Sequence, residues 1–344
     1  MVNGIIADPE VLEEDFIPQN IPCREIQKEE LAFCLSPVEE GMKPLDCLCH
    51  GKPGTGKTVL IKHVLQQLSE QTNALTFYVN CWENKTLNLI LDRLVEQAEI
   101  FVPETKYSVK ISRLKRKIGN RPCVIALDEV DKLESKELND ILYMLKNLGK
   151  VGLICISNTR KYILNLDPRI TSRIRFRSVN FPPYSDKELL TILKHRVIDC
   201  RALFPDTYSQ KILEQVADLA TGDARIAIQT LKYAAFNAEK EGKSKIYIDN
   251  VKKGFEEVKD IKRKYMLEKL GEHHRLIYEI IKKNPRITSS KLISTYRDEC
   301  ERIGLKPKSS RTLSNYLSKL VALKHIKCER ASVRGNVRSF SVIM

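Results

Sequence analysis

Residues 51–58 read Gly51-Lys52-Pro53-Gly54-Thr55-Gly56-Lys57-Thr58, a full match to G-x-x-x-x-G-K-[ST]. Each residue type has a mechanical reason to be there. Gly51, Gly54 and Gly56, with Lys52, Pro53 and Thr55 between them, let backbone N–H groups wrap anionic oxygens. Lys57 supplies a point charge for β- and γ-phosphates, and the Thr58 hydroxyl can ligate Mg²⁺. About 70 residues downstream, Asp128 and Glu129 close the apolar run Cys123-Val124-Ile125-Ala126-Leu127. Asp128 can hold the metal directly or through water, and Glu129 can polarise a water for in-line attack on a γ-phosphate. A second apolar run, Ile154-Cys155-Ile156, ends in Ser157-Asn158-Thr159. Asn158 is either a turn residue or a group that orients the attacking water. The chain is expected to bind a nucleoside triphosphate.

Arginines extend the set. Arg225 follows Thr221-Gly222-Asp223-Ala224 and opens a helical pattern, where a helix N-terminus already favours anions and a guanidinium can grip phosphate with two donors. Arg169 and Arg173, in Asp167-Pro168-Arg169-Ile170-Thr171-Ser172-Arg173, precede a strand-like stretch. They are surface arginines, or they reach a nucleotide held by a neighbouring subunit.

These groups need elements to position them. Leu45–His50, Leu75–Asn80, Cys123–Leu127, Val151–Ile156 and Arg173–Phe181 read as strands. Helical patterns at Val59–Leu68 and around Lys136–Leu148 alternate with them, which predicts a parallel sheet covered on both faces. Phe181-Pro182-Pro183-Tyr184 punctuates this block. From Ser185 to about Asp260 the pattern is wholly helical, opening on a Ser185/Glu188 capping box. Lys259–Lys264 is then a linker or a solvated helix.

The bulk properties narrow the partners. At 344 residues, 42% hydrophobic and with a mean hydropathy of −0.29, the chain has the composition of a multi-domain globular protein. No apolar stretch approaches a membrane span, and the acidic start (Asp8, Glu10, Glu13, Glu14, Asp15) does not suit a signal peptide, so no membrane partner is expected. Ten scattered cysteines form no C-x-x-C pair and read as buried reduced thiols. The net charge is +14, and residues 271–344 carry eight Lys and eight Arg against one Asp and five Glu, a balance of +10. A tail so basic suits a polyanion such as nucleic acid.

That tail has its own pattern. Glu272–Lys282 and Lys291–Ile303 read as amphipathic helices, and Ser309/Ser310 cap a third through Leu320. On the third, Leu313, Leu317, Leu320 and Val321 face inward, while Arg311, Ser314, Asn315 and Ser318 face outward to read base edges or hold phosphates. His325–Arg330 and Arg338–Ile343 read as strands around an Arg334-Gly335-Asn336 turn, which puts Arg330, Arg334 and Arg338 on or near a wing tip. Three helices and a hairpin make a winged helix. Such modules dock either DNA or protein.

Taken together, the phosphate loop, Leu127-Asp128-Glu129, Ile156-Ser157-Asn158, Leu166-Asp167-Pro168-Arg169, Phe181–Tyr184 and Gly222-Asp223-Ala224-Arg225 resemble an AAA+ ATPase in order and spacing. More narrowly they resemble the archaeal replication initiators related to the eukaryotic origin recognition complex and its loading partner. Phe16-Ile17-Pro18 and Arg24-Glu25 are similar to that family's leading segment beside the adenine, although Cys23 stands where a histidine is frequent.

The resemblance implies a P-loop AAA+ α/β domain with a five-stranded parallel sheet over 11–183, a helical lid over 184–264 and a winged-helix DNA-binding domain over 271–344. ATP/ADP and Mg²⁺ would be held by the loop with Thr58, Asp128 and Tyr184. Glu129 would be the catalytic acid, Asn158 a first sensor and Arg225 a second sensor on the lid. Arg169 and Arg173 both stand as arginine-finger candidates, because Ser172-Arg173-Ile174 replaces the family's common Ser-Ser-Leu. Between Trp82 and Asn120, the cluster Arg113, Lys115, Arg116 and Lys117 falls where initiators carry a DNA-touching helical insertion. The implied partners are double-stranded origin DNA, a replicative helicase and paralogous initiator subunits, in a cytoplasmic, chromosome-associated archaeal setting. A clamp-loader-like ATPase and a mobile-element ATPase with a winged helix are the alternatives.

Overall fold

The computed structural model describes residues 4–101, 106–160, 166–268, 270–323, 325–330 and 338–342. The chain divides into two compact units, Met1–Phe255 and Glu256–Met344.

In the first unit, α1 (Glu25–Leu35) precedes β1 (Cys47–His50), and the phosphate loop then leads into α2 (Lys57–Gln71). The chain continues through β2 (Leu75–Asn80), α3 (Leu87–Gln97), α4 (Tyr107–Ile118), β3 (Cys123–Asp128), α5 (Ser135–Lys146), β4 (Val151–Ser157), the single turn α6 (Pro168–Thr171) and β5 (Arg177–Asn180). The five strands are all parallel in the order β2-β3-β4-β1-β5. β3 and β4 are buried at every position, which is why they read as unbroken apolar runs. One hydrophobic cluster fills each face of the sheet, around Ile90, Leu94, Leu142 and Leu153 on one side and Leu31, Leu60, Ile61 and Phe181 on the other.

The expected strand from Arg173 shortens to Arg177–Asn180 because Ser172 and Arg173 close the turn after α6. The stretch between β2 and β3 folds as the pair α3 and α4. Buried Lys110 joins them through Asp92 and, at 2.8 Å, Asn88. Lys115, Arg116 and Lys117 form the exposed last turn of α4.

Helices follow. α7 (Asp186–Lys194) starts on the expected capping box, in which the Glu188 amide donates to Ser185 Oγ and the Ser185 amide to Glu188 Oε2. A π-turn (His195–Asp199), α8 (Gln210–Ala220), α9 (Ala224–Lys240) and α10 (Ile248–Glu268) complete the run. Lys259–Lys264 is therefore helix. These helices enclose a third cluster, which also takes in Ile5, Val11 and Leu12 from the N-terminal segment.

The second unit holds α11 (Glu272–Lys283), α12 (Ser289–Arg302) and α13 (Ser310–Ala322), with β6 (Ile287–Thr288), β7 (Ile326–Arg330) and β8 (Arg338–Val342). Its antiparallel sheet has the order β6-β8-β7. The two-residue β6 carries too little alternation to be visible in sequence. The core is built from Ile277, Ile281, Leu292, Tyr296, Leu313, Leu317, Leu320 and Phe340.

Histidines set a pH dependence in this unit. His274 lies against the Tyr316 ring at 4.2 Å and His325 edge-on to Tyr278 at 6.2 Å, both rings buried. No described residue hydrogen-bonds either Nε2. Burial first, then Lys319 and His273 near His274 and Arg263 near His325, pushes both imidazoles below their ordinary value. The unfolded chain thus takes up protons at about pH 6.5 while the folded unit resists, so stability falls as pH drops through that point. Hydrogen exchange of α11 and α13, corrected for intrinsic rates, should show weaker protection at pH 5 than at pH 7. His274→Gln should narrow the difference, leaving the part set by His325.

Candidate nucleotide site and nucleic-acid interface

Parallel strands deliver their carboxyl ends to one edge, where open α/β sheets bind ligands. His50 pairs with Ser157 of β4 and Asn180 of β5, so Gly51 and Asn158 leave the sheet at the same level. Asp128 ends β3, on the far side of β4.

The phosphate loop turns back on itself at Gly54 and Gly56, whose φ values of +74° and +82° suit glycine. Gly56 is also the N-cap of α2 and brings no side-chain cap, so first-turn amides are left for an anion. The helix begins at Lys57, two residues earlier than its apolar period indicates. Lys57 is buried, and its ammonium donates to the Gly51 and Lys52 carbonyls at 2.7 and 2.8 Å and to Asn158 Oδ1 at 3.3 Å. Burial pushes this ammonium below its ordinary value, against the pull of Asp128 and Asp131. Thr55 anchors the bend by donating to the Lys52 carbonyl at 2.8 Å, and Lys52 and Pro53 are exposed.

The Thr58 hydroxyl donates to Asp128 Oδ2 at 2.6 Å. The Tyr78 hydroxyl, from β2, donates to the same oxygen at 2.8 Å, and the Glu129 amide donates to Oδ1 at 2.8 Å. Burial and the neighbouring Asp128 carboxylate push the Tyr78 phenol well above its ordinary value, so it stays a donor. Thr58 and Asp128 together form a hard oxygen pair. Glu129 follows at φ +56°, a left-handed turn that takes the chain off the strand. Asp131 sets the next position, accepting from the Ser157 hydroxyl at 3.2 Å and the Asn158 amide at 3.1 Å.

The lid meets the loop directly. The Ala224 amide, at the start of α9, donates to the Gly54 carbonyl at 3.0 Å, and the Asp223 carboxylate caps α9 against Gly54. Arg225 is exposed, and its Nε lies 3.2 Å from Glu14 Oε2. Tyr184 is buried under the Arg24 guanidinium, 3.5 Å from its ring centroid, and burial pushes its phenol up to about 12. Arg169 is 88% exposed on α6, and Arg173 lies over the Tyr143 ring at 5.1 Å. The fold thus gathers Lys57, Thr58, Asp128, Asn158 and, close behind, Arg225 at one edge. Arg169 and Arg173 face outward.

In the second unit Ser309 caps α13 by accepting from the Thr312 amide at 3.3 Å. Leu313, Leu317 and Leu320 are buried and Val321 half-buried, leaving Arg311, Ser314, Asn315 and Ser318 exposed as expected. Arg338 is exposed on β8, in register with Arg330 of β7. Arg334 and its turn lie outside the described residues, as does the side chain of Arg330.

Residues missed from sequence are Tyr78, Asp131, Glu14 and the buried contacts of Arg24. Tyr78 stands two residues before the carboxyl end of its strand, which was the available signal.

Comparison with known proteins fits this geometry. An AAA domain family model matches residues 45–160, and a Cdc6 AAA+ ATPase-type lid domain model matches residues 190–256. ORC1-type DNA replication protein 9 of Halobacterium salinarum is 32% identical over 337 residues, covering 96% of this chain and 92% of its own. The ORC1-type DNA replication protein of Thermococcus onnurineus is 33% identical over 355 residues, covering 95% and 85%. The solved structure of the Aeropyrum pernix ORC1 protein in complex with DNA superposes with a TM-score of 0.81 at 26% identity, covering 99% of this chain and 94% of that one. Cdc6p from Pyrobaculum aerophilum shares the fold, with a TM-score of 0.68 at 23% identity over 98% and 94% of the two chains.

The loop–lid contact can be tested at Gly54. A Cβ there would lie 1.8 Å from Asp223 Oδ1, so Gly54→Ala must displace the cap of α9. Losing a cap costs about 1 kcal/mol, and an alanine in a left-handed conformation adds about 1 kcal/mol more. Differential scanning fluorimetry should show the midpoint lower by roughly 4–8 °C.

Proposed function

This chain belongs to the ORC1-type DNA replication proteins, a family of replication initiators, and we propose how its residues divide that work. It is an AAA+ ATPase. The observation that carries the site assignment is the convergence of Lys57, Thr58, Asp128 and Asn158 through direct hydrogen bonds at one sheet edge.

ATP or ADP binds with its phosphates in the 51–58 loop, Lys57 leaving its carbonyl partners for phosphate oxygens. Thr58 and Asp128 hold Mg²⁺, which supplies charge neutralisation at the phosphates when bound. Glu129 polarises the attacking water, and Asn158, aimed by Asp131, senses the terminal phosphate. Arg225 reads the nucleotide from the lid, and Tyr184 backs the loop. Arg169 and Arg173 would serve a nucleotide in a paralogous neighbouring subunit, a reading supported by their exposure on one short segment.

The second unit is the DNA-binding part, read as a winged helix. Its support is the arrangement of three helices on a three-stranded antiparallel sheet, the +10 balance of residues 271–344, and the exposed polar face of α13. Arg311, Ser314 and Asn315 would meet bases or phosphates of origin duplex, with Arg330, Arg334 and Arg338 on the wing. The basic end of α4 is a second DNA contact. Nucleotide state would then gate recruitment of the replicative helicase, on a chromosome-associated protein. Among the described residues no helix is long and apolar enough to cross a membrane.

Lys57→Ala should abolish ADP binding in a fluorescent-nucleotide titration, whereas Glu129→Gln should bind ATP normally and lose at least about 100-fold in turnover, on the scale of general-base catalysis. Parental turnover by Glu129→Gln would remove it from the catalytic role. For DNA, Arg311→Ala should weaken duplex binding and reduce the salt dependence of log K by about one unit, as expected when one phosphate contact is lost. An unchanged slope would take Arg311 off the backbone.

A further inference from the structure

Among the described residues of the first unit two guanidiniums are almost wholly buried, Arg24 and Arg196, at 2% and 7% exposure. Arg196 holds the N-terminal segment through the Val11 carbonyl at 2.8 Å and the Phe16 ring at 4.7 Å. Arg24 does something different. Its Nε donates to the Thr55 carbonyl of the phosphate loop at 2.9 Å and its Nη2 to the Pro182 carbonyl, between sheet and lid, at 2.8 Å. Nη1 donates to the Cys23 carbonyl at 2.8 Å, and Glu188 lies 4.0 Å away. The Tyr184 ring beneath it carries a hydroxyl so close to the loop that a Cβ on Gly56 would stand 2.3 Å from it.

We propose that Arg24 is a positioning residue for nucleotide binding, turning the Gly56 amide toward the phosphates and tying it to the sheet–lid junction. The proposal rests on the nucleotide reading of the loop. A peptide unit is planar and trans, so its C=O and N–H point in opposite directions. The Thr55 carbonyl and the Gly56 amide belong to one such unit. Holding that carbonyl behind the loop therefore sends the amide to the opposite face. The Pro182 bond adds the second half, because one rigid group then spans the loop and the segment that leads into Tyr184 and the lid. Tyr184 is itself fixed there, donating its amide to the Gly222 carbonyl at 3.1 Å, two residues before the Ala224 contact with Gly54.

Only arginine fits this task. A buried cation is costly unless it is well partnered, and here three separate backbone carbonyls, an aromatic face and the Glu188 carboxylate offset that cost. The planar fork reaches them at fixed angles, whereas an ammonium on a flexible stem keeps the charge and loses the geometry. Local backbone aims it. Cys23 sits at φ +63° and Arg24 immediately precedes α1, so the side chain leaves a sharp turn already directed at the loop.

The test uses the full chain with Arg24→Gln and Arg24→Lys, measuring ADP affinity by titration and steady-state ATP hydrolysis. Both variants should bind ADP about tenfold more weakly and raise KM for ATP by a similar factor. Their kcat should stay within about threefold, because Asp128, Glu129 and Asn158 end strands that Arg24 does not touch. Parental ADP affinity in either variant overturns the proposal, as does a fall in kcat at unchanged KM. Should Arg24→Gln fail to fold, by circular dichroism, Arg24→Lys decides alone: recovery of parental KM would reduce Arg24 to a buried charge. A parent chain that bound no ADP would overturn both this and the nucleotide reading, with Lys57→Ala giving the baseline.

Discussion

All five strands of the first unit run the same way, and the site depends on that constraint. A parallel sheet must place every carboxyl end on one edge and cover both faces with crossover helices. With β1 between β4 and β5, the phosphate loop emerges from the interior of the sheet, flanked by the ends of its neighbours. Residues 101 positions apart, Lys57 and Asn158, then meet because the register leaves them level. The hydrogen bonds among Thr58, Asp128 and Tyr78 follow from the same alignment.

Buried charge in this unit is handled in two ways: Lys110 and Lys146 pair with carboxylates, and other cations rely on backbone oxygen. Lys57, Arg24 and Arg196 are buried cations whose partners are mostly carbonyls. Carbonyl dipoles stabilise a cation without a second desolvated ion, which limits the penalty that burying an ion pair incurs. For Lys57 this has a functional consequence. Its carbonyl partners can be exchanged for phosphate oxygens, which carry full charge and so bind the ammonium more strongly. For Arg24 and Arg196 the partners belong to separate segments, so the side chains act as fixed struts.

The second unit is organised on another principle. Its core is small and largely aliphatic, with Tyr278 and Tyr296 among its larger members, and its surface carries the basic excess. Alternation on α13 makes both possible at once: leucines on the inner face join α11 and the sheet, and short polar side chains stay outside. Burying His274 and His325 in this unit makes its packing sensitive to acid.

Much of this was legible before any coordinates. The phosphate loop, the acidic strand end, the asparagine after the next apolar run and the amphipathic period of α13 are local patterns, and local patterns survive in a linear sequence because backbone geometry imposes them residue by residue. The family resemblance they suggested is the family the chain belongs to. Strand order, however, and therefore which strand ends become neighbours, is decided by packing between distant segments. Tyr78 reads only as a strand residue until β2 pairs with β3 and its hydroxyl reaches the Asp128 carboxylate. Arg24 reads, by resemblance, as part of a segment beside the adenine, but its carbonyl partners emerge only when folding closes the loop and the Pro182 segment around it, and Glu14 has no visible link to Arg225. The sequence by itself determined which chemical groups were present and on what kinds of element. Tertiary structure alone decided which carbonyl, carboxylate and amide each group would meet, because those partnerships form only when residues far apart in the chain are desolvated together.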